Sequence, residues 1–463
     1  MRLQEIIGIV REYFLLALIA VAVLGILFCL GYFIVYKKKL GGKRSLSKSK
    51  FFLVSLLTGY VIMVMGVTFL SRGSNYQGSV DVALFTSYRE AWYVFSVRHW
   101  QYVYLNIFMF VPFGILLPLL HARFRKAGWT IGMAALFTLT IESAQYLTRF
   151  GIFEVDDLFN NLLGGIIGFG LIMGFMSLKE KAIKRTLLYF APLLLVIILS
   201  GSVFVYYDLK EFGNLSIMPI HKTHMTDATI TMDVQLDDQR TNVPVYKAPS
   251  YTKTTANEFV IDFFEKINLD TVDMETIFYQ NVGIYWIRNE RSHNISFHYL
   301  DGSYSYTDFS SHDEGKEPQD TDEEALKEKL MEFDIAIPQD LHFQQVATGT
   351  YEWAIANKVL GNQLINGYVT VNYYNDDTVK RIDHQLITYD KVRDVEIKSE
   401  QEAYQELLDG KFTYYAESGG LENLHIEKVE ISYELDSKGY YQPVYAFQGT
   451  ADGIEKTILI PGI

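Results

Sequence analysis

Six runs of apolar residues dominate the first 207 positions, and no run of comparable length follows. They cover 13–36, 51–70, 102–120, 128–147, 158–178 and 187–207. Each approaches or exceeds the ~20 helical residues that cross a bilayer. The pattern then changes period. Residues 229–236, 295–299, 368–374, 429–435 and 456–460 alternate as strands do. Helical patterns occupy 256–267, 322–333 and 400–408, and Asp301-Gly302 and Asn375-Asp376-Asp377 read as hairpin turns. The expected fold is an all-α membrane bundle of six transmembrane helices over 1–207, followed by an α+β region of serial antiparallel-sheet lobes. The acidic, turn-rich tract 311–323 (SHDEGKEPQDTDE) reads as a linker between a lobe at 208–310 and further lobes at 324–463.

Charge divides the chain at the same place. Residues 1–207 carry 20 Lys+Arg against 9 Asp+Glu, whereas the remainder carries 21 against 45. Such a partition excludes a simple cytosolic enzyme, and the acidic half would repel nucleic acid. The basic residues gather in three loops, 37–50, 121–127 and 179–186, which hold 14 Lys/Arg and one acid, Glu180. All three can be cytoplasmic in a six-span chain, which places the N-terminus and everything after 207 outside. The first run is too long for a signal-peptide core, and Lys37, Lys38 and Lys39 follow it without a small-residue cleavage site. It reads as an uncleaved span. Cys29, alone in the chain, precludes an intramolecular disulfide and reads as a small apolar residue.

Polar residues inside the spans are the candidate chemistry. Asn106 lies in the third span, Glu142 and Gln145 in the fourth, and Asn161 in the fifth, with Arg149, Asp156 and Asp157 at the span ends. A rise of 1.5 Å per residue puts Asn106, Glu142 and Asn161 at one depth, about 5–8 Å below the outer boundary. Positions 142, 145 and 149 share a helix face. An intramembrane acid is a functional candidate by default, with Glu142 or Asp157 as general base and Arg149 as an anion clamp. The structural alternatives are interhelical glue from the asparagines and an ion pair between Glu142 and Arg149. No nucleophile is evident, and two adjacent aspartates are too few for a metal site. Neither a catalytic assignment nor a cofactor follows. Pro112 reads as a kink, and Gly114, Gly164, Gly165 and Gly168 as close helix-packing positions.

The blocks NIFMFVPFGILLP (106–118), ESAQYLTRFG (142–151) and VDDLFNNLLGGIIG (155–168) resemble the VanZ-like family of membrane proteins over roughly 50–175. The resemblance marks Asn106, Phe110, Pro112, Gly114, Glu142, Gln145, Arg149, Asp157, Asn161 and Gly164 as signature positions. Glu154 stands where the family often has another aspartate. Residues 397–411 and 429–460, with Val243-Pro244-Val245-Tyr246, resemble the extracytoplasmic PepSY-like and YycI-like domains of Gram-positive bacteria, which bind partners. A member of the VanZ-like family confers teicoplanin resistance. The resemblance therefore implies a multi-pass plasma-membrane protein, non-enzymatic, that limits a glycopeptide antibiotic. The rivals are a membrane enzyme acting on a lipid-linked envelope precursor at the outer leaflet and an extracytoplasmic sensor of another membrane protein. The expected partners are the lipid bilayer and one of these: a glycopeptide, the precursor or a membrane protein.

Overall fold

The computed structural model describes residues 3–43, 45–70, 79–226, 228–288, 292–414 and 420–463. The chain forms two compact units, Met1–Lys210 and Glu211–Ile463. In the first, α1 (Leu3–Leu30) runs on through a wider π-type stretch, Gly31–Lys39, and α2 (Lys48–Met65) through another, Gly66–Leu70. Then come β1 (Val80–Asp81), α3 (Thr86–Val94), α4 (Val97–Leu120), α5 (Ala127–Thr148), β2 (Phe153–Glu154), α6 (Val155–Lys179) and α7 (Ile183–Leu209). Ser47 and Ser96 hydroxyls accept the backbone N–H groups of Lys50 and His99, which fixes where α2 and α4 begin.

Among the described residues, five helical stretches are long and apolar enough to cross a membrane: Arg11–Lys39, Lys48–Phe69, Val97–Leu120, Val155–Lys179 and Ile183–Leu209. The expected span at 128–147 is the helix α5, which has the length but is less apolar. Thr130, Thr138, Thr140, Glu142, Ser143 and Gln145 interrupt its hydrophobic run. Helices α4 and α6 touch backbone to backbone. A Cβ on Gly164 would sit 1.9 Å from the Ile107 carbonyl oxygen, and one on Gly168 2.1 Å from that of Val111. Gly114 lies equally close to the Gly165 carbonyl from the other side. Small residues thus set the spacing. Pro112 and Pro118 both lie inside α4, each removing one donor from the helical ladder.

The second unit contains β3 (Thr229–Met232), β4 (Thr241–Lys247), α8 (Lys253–Lys266), β5 (Glu275–Phe278), β6 (Val282–Arg288), β7 (Ser292–His298), β8 (Tyr304–Asp308) and α9 (Glu323–Met331). It continues with β9 (His342–Ala347), β10 (Thr350–Leu360), β11 (Gln363–Tyr374), β12 (Thr378–His384), β13 (Ile387–Ile397), α10 (Glu400–Leu408), β14 (Asn423–Leu435), β15 (Tyr440–Ala451) and β16 (Ile454–Pro461). Among the described residues, β3 to β16 share one hydrogen-bonded sheet, branched at β11 and β15. Its pairings are antiparallel apart from β3 with β14.

Two cores lie along this sheet. One gathers Val260, Phe264, Tyr285, Leu326, Trp353 and Ile382 beneath α8 and α9. The other gathers Val245, Ile397, Leu407, Phe447 and Ile460 beneath α10. Tyr246, Leu364, Tyr389 and Tyr441 form a smaller cluster of their own. The second core draws on chain both before and after the first, because β4 pairs with β13. The tract 311–323, expected to separate two lobes, instead lies beside the first core. Lys316 bonds Asp376 at 2.7 Å, Asp320 accepts the Gly349 N–H at 2.9 Å, and Glu323 accepts the Trp353 indole N–H at 3.1 Å.

Lys380, 2% exposed, anchors this region. Its Nζ bonds Asp308 at 3.0 Å and the Ser310 hydroxyl at 2.8 Å, and lies 3.1 Å from Asp376. Burial alone would push the Asp308 carboxyl up, but the Ser310 N–H, Lys380 and the Ser310 hydroxyl hold it below the usual range. Asp376 is held low in the same way, by Lys316, Thr378 and Lys380 against the effect of its own burial. Both carboxylates therefore add stability above the ordinary carboxylate pKa, and that stability is lost as pH falls through their lowered values. Residues 211–463 expressed alone are expected to unfold cooperatively, with stability declining below about pH 4. Lys380→Met should cost about 3–5 kcal/mol at neutral pH, because it strands buried carboxylates. Denaturant titration of both proteins checks this, and an unchanged midpoint would contradict the network.

Candidate functional site

The helix ends fix the site. At the close of α5, Arg149 adopts a left-handed backbone (φ 60°), and the Phe150 N–H returns to the Gln145 carbonyl at 3.1 Å. This is a Schellman-type ending built on arginine instead of the usual glycine. The chain then turns into β2, which pairs in parallel with β1: Val80 with Phe153 and Asp81 with Glu154. That short ladder holds 79–87 beside the start of α6.

Asp156, 2% exposed, accepts three hydrogen bonds from this segment: Phe85 N–H at 2.5 Å, Ser87 N–H at 2.7 Å and Ser87 Oγ at 2.7 Å. A carboxylate from α6 thus caps α3 from outside. Phe85 sits at φ 67°, uncommon for a bulky residue. The aspartate and the edge-on rings of Tyr88 and Phe159 hold it there. Asp156 is a clamp whose acceptor capacity is committed to backbone and serine.

The other expected residues join helices in pairs. Asn106 of α4 donates its amide to Asp157 of α6. Asn161 of α6 donates to Thr138 Oγ1 of α5 at 2.9 Å. Glu142, 2% exposed, accepts the Glu154 N–H at 3.5 Å, and Gln145 donates to the Thr68 carbonyl beyond α2 at 3.2 Å. Glu142, Gln145 and Asn161 are therefore buried in the bundle, and Asn106 and Asp157 are paired and half-buried between α4 and α6. Arg149 is not: its side chain is exposed, and among the described residues no ion pair joins it to Glu142. The left-handed turn takes residue 149 off the face that helical spacing gave it.

Sequence reasoning missed several members. Asn160 is fully buried, and its Oδ1 accepts the Tyr88 hydroxyl at 2.5 Å. Ser87, Thr138 and Thr68 supply partners. The spacing Ser87-Tyr88-Arg89-Glu90 hints at a helix start between the second and third runs, but α3 begins at Thr86 after Phe85, and Ser87 lies inside it, bonded to Asp156. Two polar atoms here are buried without a hydrogen-bond partner, Asn161 Oδ1 and Asn160 Nδ2. Such atoms ask for a water or a ligand.

Chemically, the region offers carboxylates and amides in an apolar surround. Among the described residues, no group of three His, Cys, Asp or Glu side chains is placed to hold a metal ion. The arrangement suits recognition of a polar group by hydrogen bonds.

Comparison with known proteins agrees with the three sequence blocks. The VanZ/LLP1 family model matches residues 23–178, so this region of the chain is VanZ-like. Protein VanZ of Enterococcus faecium is 28% identical over 97 residues, which is 20% of this chain and 58% of that protein. The match thus spans little more than half of the relative's length. Among solved structures, an uncharacterized protein from Eubacterium rectale is 14% identical with a TM-score of 0.25, covering 50% of this chain and 86% of that one. The YpeB C-terminal domain of Bacillus megaterium is 10% identical with a TM-score of 0.21, covering 46% and 94%. At these scores neither likeness bears on the fold of this chain.

Proposed function

We propose, for a chain whose residues 23–178 are VanZ-like, an integral membrane protein of the bacterial envelope that limits the action of a teicoplanin-type glycopeptide without chemical turnover. The observation that carries this reading is the polar set on three adjoining helices, Glu142, Gln145 and Asn161 buried and Asn106 and Asp157 half-buried, with Asn161 Oδ1 left open. Polar groups are costly inside a bilayer and are kept there for recognition or transport. The missing nucleophile favours binding over catalysis.

On this reading α5 also crosses the bilayer. Thr138, Glu142 and Gln145 are buried in the bundle, and the exposed Thr140 satisfies its hydroxyl on the Leu136 carbonyl, so the outer face of α5 suits lipid. With six crossings and the three basic loops inside, the polar region would lie near the outer leaflet and residues 211–463 would face outward.

Deleting the gene in its host should lower the inhibitory concentration of teicoplanin, and plasmid-borne wild-type protein should restore it. Protease added to intact protoplasts should release the acidic domain. Unchanged susceptibility to teicoplanin would end the antibiotic reading. Protection of the domain until lysis would reverse the orientation.

A further inference from the structure

Three exposed apolar side chains of the second unit gather at one corner. Val359 and Leu360, at the end of β10, are 54% and 48% exposed, and Val392 on β13 is 45% exposed. Leu360 pairs with Gln363, which closes β10 onto β11 in a tight turn with Gly361 at φ 62°. The Lys391 N–H bonds the Asn362 carbonyl at 2.7 Å, so β13 passes beside that turn. Val392 is a bulged residue: Lys391 pairs with Tyr246 and Arg393 with Val245, and Val392 between them has no partner on β4. Single exposed apolar residues are ordinary, but a group of them marks a contact surface.

Glu211 says what that surface meets. It follows Leu209, the last residue of α7, by two positions, and two residues reach at most about 7 Å. Helix α7 is long and apolar enough to cross a membrane. Its end carries Tyr206, Tyr207 and Asp208, the change from aromatic to charged that marks a bilayer boundary. Glu211 is also fixed within its own domain. Arg393, next to Val392, grips its carboxylate with bonds of 2.8 and 2.7 Å, Phe212 packs on the second core, and the Gly213 N–H bonds Asp436 at 2.5 Å. The exposed corner therefore adjoins the point where the chain leaves the span. Its charges are matched although the domain is acidic: Lys358 bonds Asp340 at 2.5 Å and Lys391 bonds Asp394 at 3.0 Å, beside the Arg393–Glu211 pair. Such a corner suits a zwitterionic lipid surface, whereas a second copy would bring the same excess of acid and be repelled.

We propose that Val359, Leu360 and Val392 dip into the headgroup layer of a zwitterionic bilayer, so that this corner of the domain rests on lipid. The proposal rests on α7 crossing the bilayer. It depends neither on the antibiotic role nor on the side of the membrane that the domain faces. Short aliphatic side chains gain by entering the headgroup and acyl boundary, and paired charges beside them stay in water.

The test places a bimane label on the full chain, in a Cys29→Ala background, reconstituted in nanodiscs of palmitoyl-oleoyl phosphatidylcholine. A second set of nanodiscs includes phosphatidylcholine with a doxyl quencher near the ester end of one chain. A label on Leu360→Cys or on Val392→Cys should lose about half of its emission to the doxyl lipid, since side chains at the headgroup and acyl boundary lie within its reach. A label on Val272→Cys should keep its emission. Val272 is 84% exposed and precedes β5, which stands five strand pairings from β11, roughly 24 Å at ~4.8 Å per strand. Val205→Cys, exposed on α7 four residues before its end, checks the span and should be quenched. Leu360→Asp should cut the quenching at Val392→Cys several-fold, because a carboxylate resists entry. Quenching at 205 without quenching at 360 and 392 would overturn the resting corner and leave the span in place. No quenching at 205 would overturn both. Equal quenching at 272, or quenching at 392 that survives Leu360→Asp, would also overturn the proposal.

Discussion

Replacing Glu142 by glutamine is expected to reduce teicoplanin protection to the level of the deletion strain while the protein stays at normal abundance. The geometry explains why the two readouts separate. Glu142 is buried in α5 and accepts the backbone N–H of Glu154. Glutamine has the same length and keeps a carbonyl acceptor, so the contact with β2 survives and only the charge goes. Glu142→Ala removes the acceptor too and leaves a half-buried N–H without that partner, a cost of about 1 kcal/mol. That variant should lose abundance as well as activity. Adding Arg149→Gln to Glu142→Gln should not restore protection, because Arg149 is exposed and pairs with no carboxylate in the described structure. Immunoblots of membrane fractions beside susceptibility assays distinguish the cases. Full resistance in Glu142→Gln would remove the charge from the mechanism. Rescue by the double variant would show an ion pair that this geometry lacks.

The same residues show what could be read from the sequence and what could not. An amide or carboxyl inside an apolar run stands out, so Asn106, Glu142 and Asn161 were legible as candidates. Apart from Asp157, the partners of these residues and of Gln145 were not, because Thr138, the Glu154 N–H and the Thr68 carbonyl are ordinary groups whose role comes only from packing. Arg149 misled for a physical reason: helical spacing placed it with Glu142, but the helix ends in a left-handed turn at that residue. Asp156 looked like chemistry and is a cap for α3, a helix hidden within a presumed loop.

In the acidic half, local signals served well. The reading of 400–408 matches α10 because Ser399 and Glu402 form a capping box. The Asn375–Asp377 turn fell between β11 and β12, with Asp377 at φ 61°. Long-range pairing left no local trace. β4 meets β13 about 150 residues later, and periodicity within either strand cannot say so. The acidic tract 311–323 looked solvated by composition, yet its Lys316 meets Asp376 and its Glu323 meets the Trp353 indole.

Adding a single methyl group should have opposite effects on two neighbouring helices. Gly164→Ala in α6 would put a Cβ 1.9 Å from the Ile107 carbonyl oxygen, a backbone atom that no rotamer change can move aside. Helices α4 and α6 would have to part, and that would stretch the Asn106–Asp157 bond between them. Within a bilayer no hydrophobic force draws the helices back together, because lipid solvates them equally well; close packing and interhelical hydrogen bonds do the holding. Overpacking of this kind costs about 1–3 kcal/mol or more, so the melting temperature of the detergent-solubilised protein should fall clearly, and Gly164→Val should yield little folded protein. Gly132→Ala in α5 meets nothing within 4 Å. Alanine there should be neutral or stabilising by up to about 1 kcal/mol, since it favours the helix over glycine. Fluorescence-detected size-exclusion melts of the variants, side by side with wild type, read both signs. A Gly164→Ala protein that melts with wild type would mean that α4 and α6 are not in backbone contact. The alignment of Asn106 with Asp157, and the buried polar region that depends on it, would then have to be redrawn.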